Sequence, residues 1–329
     1  MAWYGVAAGL GSIAGQILGG WFIHADLAGL GWRAIFLINV PIAALTFIAA
    51  LLVVPQSRRA DAPSIDARGA TGIAVSLALV LLPFVLGRQN GWPAWMWIGP
   101  VVGSVLLWVV IRAEDRLSAR GGDPILDTKL ITVPSLARGA IASILFMAFF
   151  ASFMFRLTVL LQQGEHIEPL HAGLMFAPSG VTFALSSLFM RGWITKNRQR
   201  AIRTGAIITI FGLAVATLGL TIDKLPTVAL IVAAVCLTGF GNGLALPTLI
   251  GVALSDVPPM KAGVASGIVT AAQQFAASAG VALLGTLYFS RAASVGHQHA
   301  MAWTFVVDVV LLIGVILVGG FSGHSKRKE

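Results

Sequence analysis

Charge is what this chain has least of. Of its 329 residues only 11% are Asp, Glu, Lys or Arg, less than half the roughly 25% usual in a soluble domain. With 57% hydrophobic residues and a mean hydropathy of +0.88, there is too little polar surface to coat a soluble globule. Cysteine is almost missing too. Cys236 stands alone inside an apolar run, which excludes an internal disulfide and a cysteine metal cluster. The N-terminus has no basic n-region and its apolar stretch is too long for a signal peptide, so it is expected to stay in the mature protein. No nucleophile–base pair, phosphate loop or dinucleotide fingerprint occurs, and a membrane enzyme has no support.

What is abundant is the apolar run of about 20 residues, enough to cross ~30 Å of hydrocarbon at 1.5 Å per residue. Only helices or closed barrels satisfy their backbone there, and the runs lack the alternation of barrel strands. They predict an all-α membrane protein of about ten transmembrane helices: 3–23, 34–54, 69–87, 95–112, 138–161, 171–190, 202–222, 227–250, 263–288 and 301–321. Turn signals separate most of them, among them Pro55, Gly91-Trp92-Pro93, Gly121-Gly122, Pro169, Pro226 and Pro258-Pro259.

The net charge of +9 does not point to nucleic acid, because the basic residues fall almost entirely on one side of this topology. With the N-terminus inside, 17 of the 22 Lys and Arg lie in cytoplasmic loops or the tail. They are Arg58, Arg59, Arg68, Arg112, Arg116, Arg120, Lys129, Arg138, Arg191, Lys196, Arg198, Arg200, Arg203, Lys261, Lys326, Arg327 and Lys328. Arg33, Arg88, Lys224 and Arg291 fall outside, and Arg156 within a helix. Such a bias fits the positive-inside rule with both termini cytoplasmic. Trp92, Trp95, Trp97 and Trp303 fall at expected outer boundaries, where interfacial anchors belong. Lipid is the first expected partner.

Several motifs carry a family resemblance. The first helix has Gly11, Gly15 and Gly19 on one face, with Gly20 adjacent, a spacing that lets another helix approach closely. Together with Gln16 and the following Trp32-Arg33-x-x-Phe36-x-x-Asn39-x-Pro41, it resembles the fifth and sixth helices of major facilitator transporters, in particular the fourteen-helix drug:proton antiporter branch. Asp66-x-x-Gly69 resembles the entry to that branch's first extra central helix. Leu161-Gln162, Gly164 and Ala172-Gly173-Leu174 to Pro178 resemble the outer loop between its seventh and eighth core helices. Ala262-Gly263-x-Ala265-Ser266-Gly267, Gln273-Gln274 and Gly280-Val281-Ala282 fit the penultimate helix.

The resemblance implies a partial major facilitator fold lacking four helices. Residues 1–54 would be a remnant of the N-terminal bundle, 55–136 two central extra helices with a cytoplasmic linker, and 137–329 the C-terminal six-helix bundle. It further implies proton-driven efflux of hydrophobic or cationic compounds by alternating access across a bacterial cytoplasmic membrane, with a proton gradient and no cofactor. Gln16 stands where the antiporter motif has proline, so a motif-specific bend there is in question. The missing helices leave two alternatives open: a transport-inactive fragment, or a membrane subunit completed by another chain.

Polar residues inside the membrane are costly and so are the candidate functional groups. Arg156 and Asp308 are expected at the same depth near the outer side, either as an ion pair or with Asp308 titrating beside Arg156 during proton coupling; Arg156 snorkelling outward is the bland option. Asn242, in the run Gly239-Phe240-Gly241-Asn242-Gly243 upstream of Pro247, either offers an amide to substrate or bonds a neighbouring helix. Gln162 lies at the outer mouth, and Gln273 either lines the pathway or bonds across helices. His297-x-His299, with His166 and Glu165, reads as exposed-loop composition rather than a metal set.

Overall fold

The computed structural model describes residues 2–25, 29–53, 66–86, 93–122, 125–222 and 226–320. The loop charges Arg58, Arg59, Arg88, Lys224, Lys326, Arg327 and Lys328, the turn signals Pro55, Gly91 and Trp92, and the side chains of Gln16 and Trp95 lie outside them.

Helices account for nearly all of it. In chain order they are α1 (Ala2–Ala25), α2 (Ala34–Leu37), α3 (Asn39–Val53), α4 (Ala67–Leu86), α5 (Ile98–Ala119), α6 (Thr128–Ile131), α7 (Pro134–Val159), α8 (Pro169–Phe189), α9 (Arg191–Lys196), α10 (Arg198–Thr221), α11 (Thr227–Ala253), α12 (Ala262–Val295) and α13 (His297–Gly320). Among the described residues eight helices are long and apolar enough to cross a membrane. α1 and α5, of 24 and 22 residues, have the length of the other two expected spans.

Several boundaries differ from the sequence reading, each for a local reason. The second span is interrupted at Ile38, between α2 and α3. Pro41 cannot donate to the Leu37 carbonyl, and the next bond, Ile42 N to Ile38 O, is stretched to 3.5 Å. α12 runs to Val295, beyond the expected 288, and stops where Gly296 turns to φ +82°, a conformation glycine adopts without a Cβ penalty. α5 continues to Ala119 past its apolar stretch, carrying Glu114, Asp115 and Arg116. The short α9, unforeseen, sets the elbow between α8 and α10.

α7 is the hub of the core. Its fully buried Phe146, Phe149 and Phe153 form a ladder, with Phe149 and Phe153 stacked at 5.8 Å and Phe153 reaching Phe305 of α13 at 6.1 Å. α11, α12 and α13 pack around it, while α10 fills the angle between α11 and α13. α4 and α5 form a hairpin that leans on α12, and α1 crosses to pack along α8.

Glycine sets the tightest contacts. The run 239–243 serves two neighbours in alternation. Cβ atoms on Gly239 and Gly243 would strike Ser179 and Phe183 of α8, and one on Gly241 would strike the Gly205 carbonyl of α10. Gly280 meets the Ala148 backbone, holding α12 against α7. α3, by contrast, buries none of its residues, and Leu51 and Leu52 are 69% and 80% exposed.

Candidate functional site

Arg156 and Asp308 come together inside the bundle. One guanidinium nitrogen, Nη2 of Arg156, donates to both carboxylate oxygens of Asp308 at 2.7 Å, and both side chains are 0% exposed. Arg156 Nε donates to the Ser152 carbonyl at 3.1 Å, one helical turn back. The arginine is thus fixed to its own helix before it reaches α13. Its Nη1 has no acceptor among the described residues. Phe153 and Phe305 pack one turn away on the same pair of helices, so the pair sits in dry surroundings where an unpaired charge would be very costly. It joins α7 to α13.

The other sequence candidates do not gather around it. Asn242 is buried, with Oδ1 3.3 Å from the Thr209 hydroxyl of α10, and its Nδ2 lacks an acceptor among the described residues. Gln273 is 7% exposed on α12, again with its amide nitrogen unpartnered among the described residues. Gln162 lies exposed on a wide π turn, Leu160–Gly164, that ends α7. In the first helix the close approach falls on Gly20, which abuts Pro169 and Leu170 at the start of α8; Gly11, Gly15 and Gly19 face open space among the described residues.

Two features escaped the sequence reading. Beside the ion pair, Tyr288 is fully buried and its hydroxyl lies 2.8 Å from His297 Nδ1, closing the α12–α13 turn. Gln298 donates to Glu165 at 2.8 Å across the same end. The larger omission is a cavity of about 520 Å³ between α4, α7 and α12, lined by Phe84, Phe155, Phe289, Val281, Ser278 and Thr286 among others. Its walls are mostly apolar, with Ser278 and Thr286 as the polar residues of the lining. No polar motif announces such a site, because its aromatic residues come from three helices far apart in sequence and each alone resembles lipid-facing composition.

The model of the Major Facilitator Superfamily matches residues 1–281. The chain belongs to that superfamily. Among its superfamily relatives is the probable actinorhodin transporter of Streptomyces coelicolor, 32% identical over 294 residues, covering 87% of this chain and 50% of the relative. The drug efflux pump JefA of Mycobacterium tuberculosis is 28% identical, covering 84% of this chain and 53% of the pump. The cephamycin export protein CmcT of Amycolatopsis lactamdurans is 28% identical, covering 93% and 63%. The chain therefore spans about half the length of the curated relatives it matches. As a superfamily member it is a multi-pass membrane protein of a transporter family, which is not an enzyme family.

Proposed function

We propose that this chain supplies the C-terminal part of a proton-coupled efflux transporter for hydrophobic or cationic compounds, working by alternating access, with its basic end in the cytoplasm. The observation that carries the reading is the apolar, aromatic-walled cavity of about 520 Å³, within the ~300–1,000 Å³ range of small-molecule sites. Its chemistry suits a compound that partitions into lipid, and relatives named as drug and antibiotic exporters support the class. Packing of α1 against α8 supports the mechanism, since α1 resembles a first-bundle helix and α8 would lie in the second. In this reading Arg156–Asp308 braces the second bundle so that it moves as one body. Asn242, Gln273 and Gln162 take lesser roles, the first two within helix contacts and the last at the outer mouth.

The test is reconstitution. Vesicles holding this chain and a hydrophobic cationic dye such as ethidium are given a pH gradient. Dye movement that an uncoupler abolishes, and that Phe155→Ala slows several-fold, supports the reading. A second reading, a membrane subunit completed by another chain, is favoured by α3, which buries nothing, and by Gly263 and Gly267, which face open space among the described residues. Dye movement seen only after adding the first four helices of the Streptomyces coelicolor relative would decide for it.

A further inference from the structure

A second cavity, of about 310 Å³, lies at the end of the molecule where α8 and α11 finish and α10 begins. Ser187 of α8, Arg191, Ile194 and Thr195 of α9, Arg198 of α10 and Thr248 of α11 contribute to its wall. Two arginines share it with no carboxylate in its lining. Neither guanidinium has an ion-pair or hydrogen-bond partner among the described residues, unlike Arg156 or Lys261. Both arginines are exposed, and two permanently charged forks without a protein partner on one concave surface suit an anion with several oxygen atoms.

The hydroxyls narrow the choice. Ser187 donates to the Gly243 carbonyl, Thr195 to Gly192 and Thr248 to Leu244, at 2.7–3.0 Å. Each hydroxyl has spent its only hydrogen on the backbone. What they offer the cavity is lone pairs, which the unprotonated oxygens of a phosphodiester cannot use and a ligand with several O–H groups beside its phosphate can. The surroundings set the source. Phe189, two residues before Arg191, is 76% exposed, and Leu185 and Leu188 on the preceding turn of α8 are 43% and 44% exposed. An apolar face that gives way to arginines within two residues marks the level where acyl chains give way to headgroups.

We propose that this cavity binds the headgroup of an anionic phospholipid bearing glycerol hydroxyls, its phosphodiester held between Arg191 and Arg198 and its O–H groups donating to the Ser187, Thr195 and Thr248 oxygens. The lipid bridges α8, the α9 elbow, α10 and α11, the elements that must keep their spacing if this half of the molecule moves as a unit. The site does not depend on what the apolar cavity transports.

Thermal unfolding of the detergent-solubilised chain, titrated with dioctanoyl phosphatidylglycerol, dioctanoyl phosphatidylcholine or inorganic phosphate, tests this directly. Phosphatidylglycerol is expected to raise the midpoint in a saturable way, while phosphatidylcholine and inorganic phosphate leave it in place. R191Q and R198Q, made singly so that each variant retains one arginine, should each need about tenfold more phosphatidylglycerol for half the shift. K196Q, a basic residue of the same elbow outside the lining, should match the parent. Retained response in both arginine variants overturns the site. An equal loss in K196Q reduces it to diffuse surface charge, and an equal shift with inorganic phosphate makes it a free-anion site. Absence of any phosphatidylglycerol shift overturns it outright.

Discussion

The Ser187 hydroxyl of α8 donates to the Gly243 carbonyl of α11 at 3.0 Å, the one carbonyl that Pro247 leaves without its helical donor. Proline has no N–H to return to the residue four before it, and the vacancy is filled from the neighbouring helix. Gly243 also has no side chain to hold α8 away. Ser187→Ala is therefore expected to destabilise the bundle by about 1–2 kcal/mol. In a Pro247→Ala background, where α11 satisfies its own carbonyl, the same change should cost much less. A double-mutant cycle on unfolding in mixed micelles measures the difference.

Arg156→Gln or Asp308→Asn alone should each destabilise by about 3–5 kcal/mol, since either leaves a buried polar or charged group without its partner. The charge-swapped double variant is expected to recover part of the loss. If the swap unfolds as readily as the single variants, the two residues are not coupled.

The α4–α5 hairpin carries an acid pair, Asp66 and Glu114, that is expected to respond to pH. Glu114 lies beyond the apolar stretch of α5 and is only 2% exposed; burial, followed by a hydrogen bond with Asp66, pushes its carboxyl up. Asp66 is held below the usual range, chiefly by the Gly69 N–H and then by Glu114. One proton shared between the two fits both directions. Stability from Glu114 is complete below its unfolded value of 4.5 and is lost as pH rises through the raised folded value. Stability from Asp66 is present above 3.8 and is lost as pH falls through the lowered folded value. Near-neutral pH thus loosens the clasp, which also holds the linker through the Leu126 N–H on Glu114 at 3.1 Å. Proteolysis within 120–126 should quicken in the parent as pH rises above 4.5 and through the raised folded value of Glu114, and change little with pH over that rise in Glu114→Gln.

Gly280→Val should separate α12 from α7, because its new side chain meets the Ala148 backbone. A loss of several kcal/mol is expected for such overpacking, at or above the ~1–3 kcal/mol usual in soluble cores. Gly267→Val, facing open space among the described residues, should leave the thermal midpoint unchanged. A fall on addition of partner helices would place their contact there.

Much of this architecture was legible because lipid imposes a simple rule. Apolar length located the eight helices that, among the described residues, are long and apolar enough to cross a membrane, and the glycine and proline signals placed most of their ends. Arg156 and Asp308 could be set at one depth by counting residues from the outer boundary, because helical rise is constant. The two-sided use of Gly239, Gly241 and Gly243 could not be read, since spacing reports a face of a helix and not which neighbour covers it. Phe84, Phe155 and Phe289 were silent for a related reason: in a membrane protein, an aromatic residue facing a cavity and one facing lipid are written alike. The 34-residue length of α12 was missed because polar residues after Tyr288 ended the apolar signal while the backbone continued.

The ion pair also has a consequence for the order in which the protein is made. Asp308 follows Arg156 by 152 residues, so at ~5–20 residues per second the ribosome completes α7 about 8–30 seconds before its counter-charge exists. Throughout that interval α7 carries a lone arginine near one end of its span, at a cost below the roughly 2.5–3.5 kcal/mol of a charge at the centre of the membrane. α7 is then expected to wait at the translocon, or sit shallow, until α13 arrives. Quality control that samples nascent chains would meet α7 as an unfinished helix, and a chain stopped before α13 would carry that mark permanently.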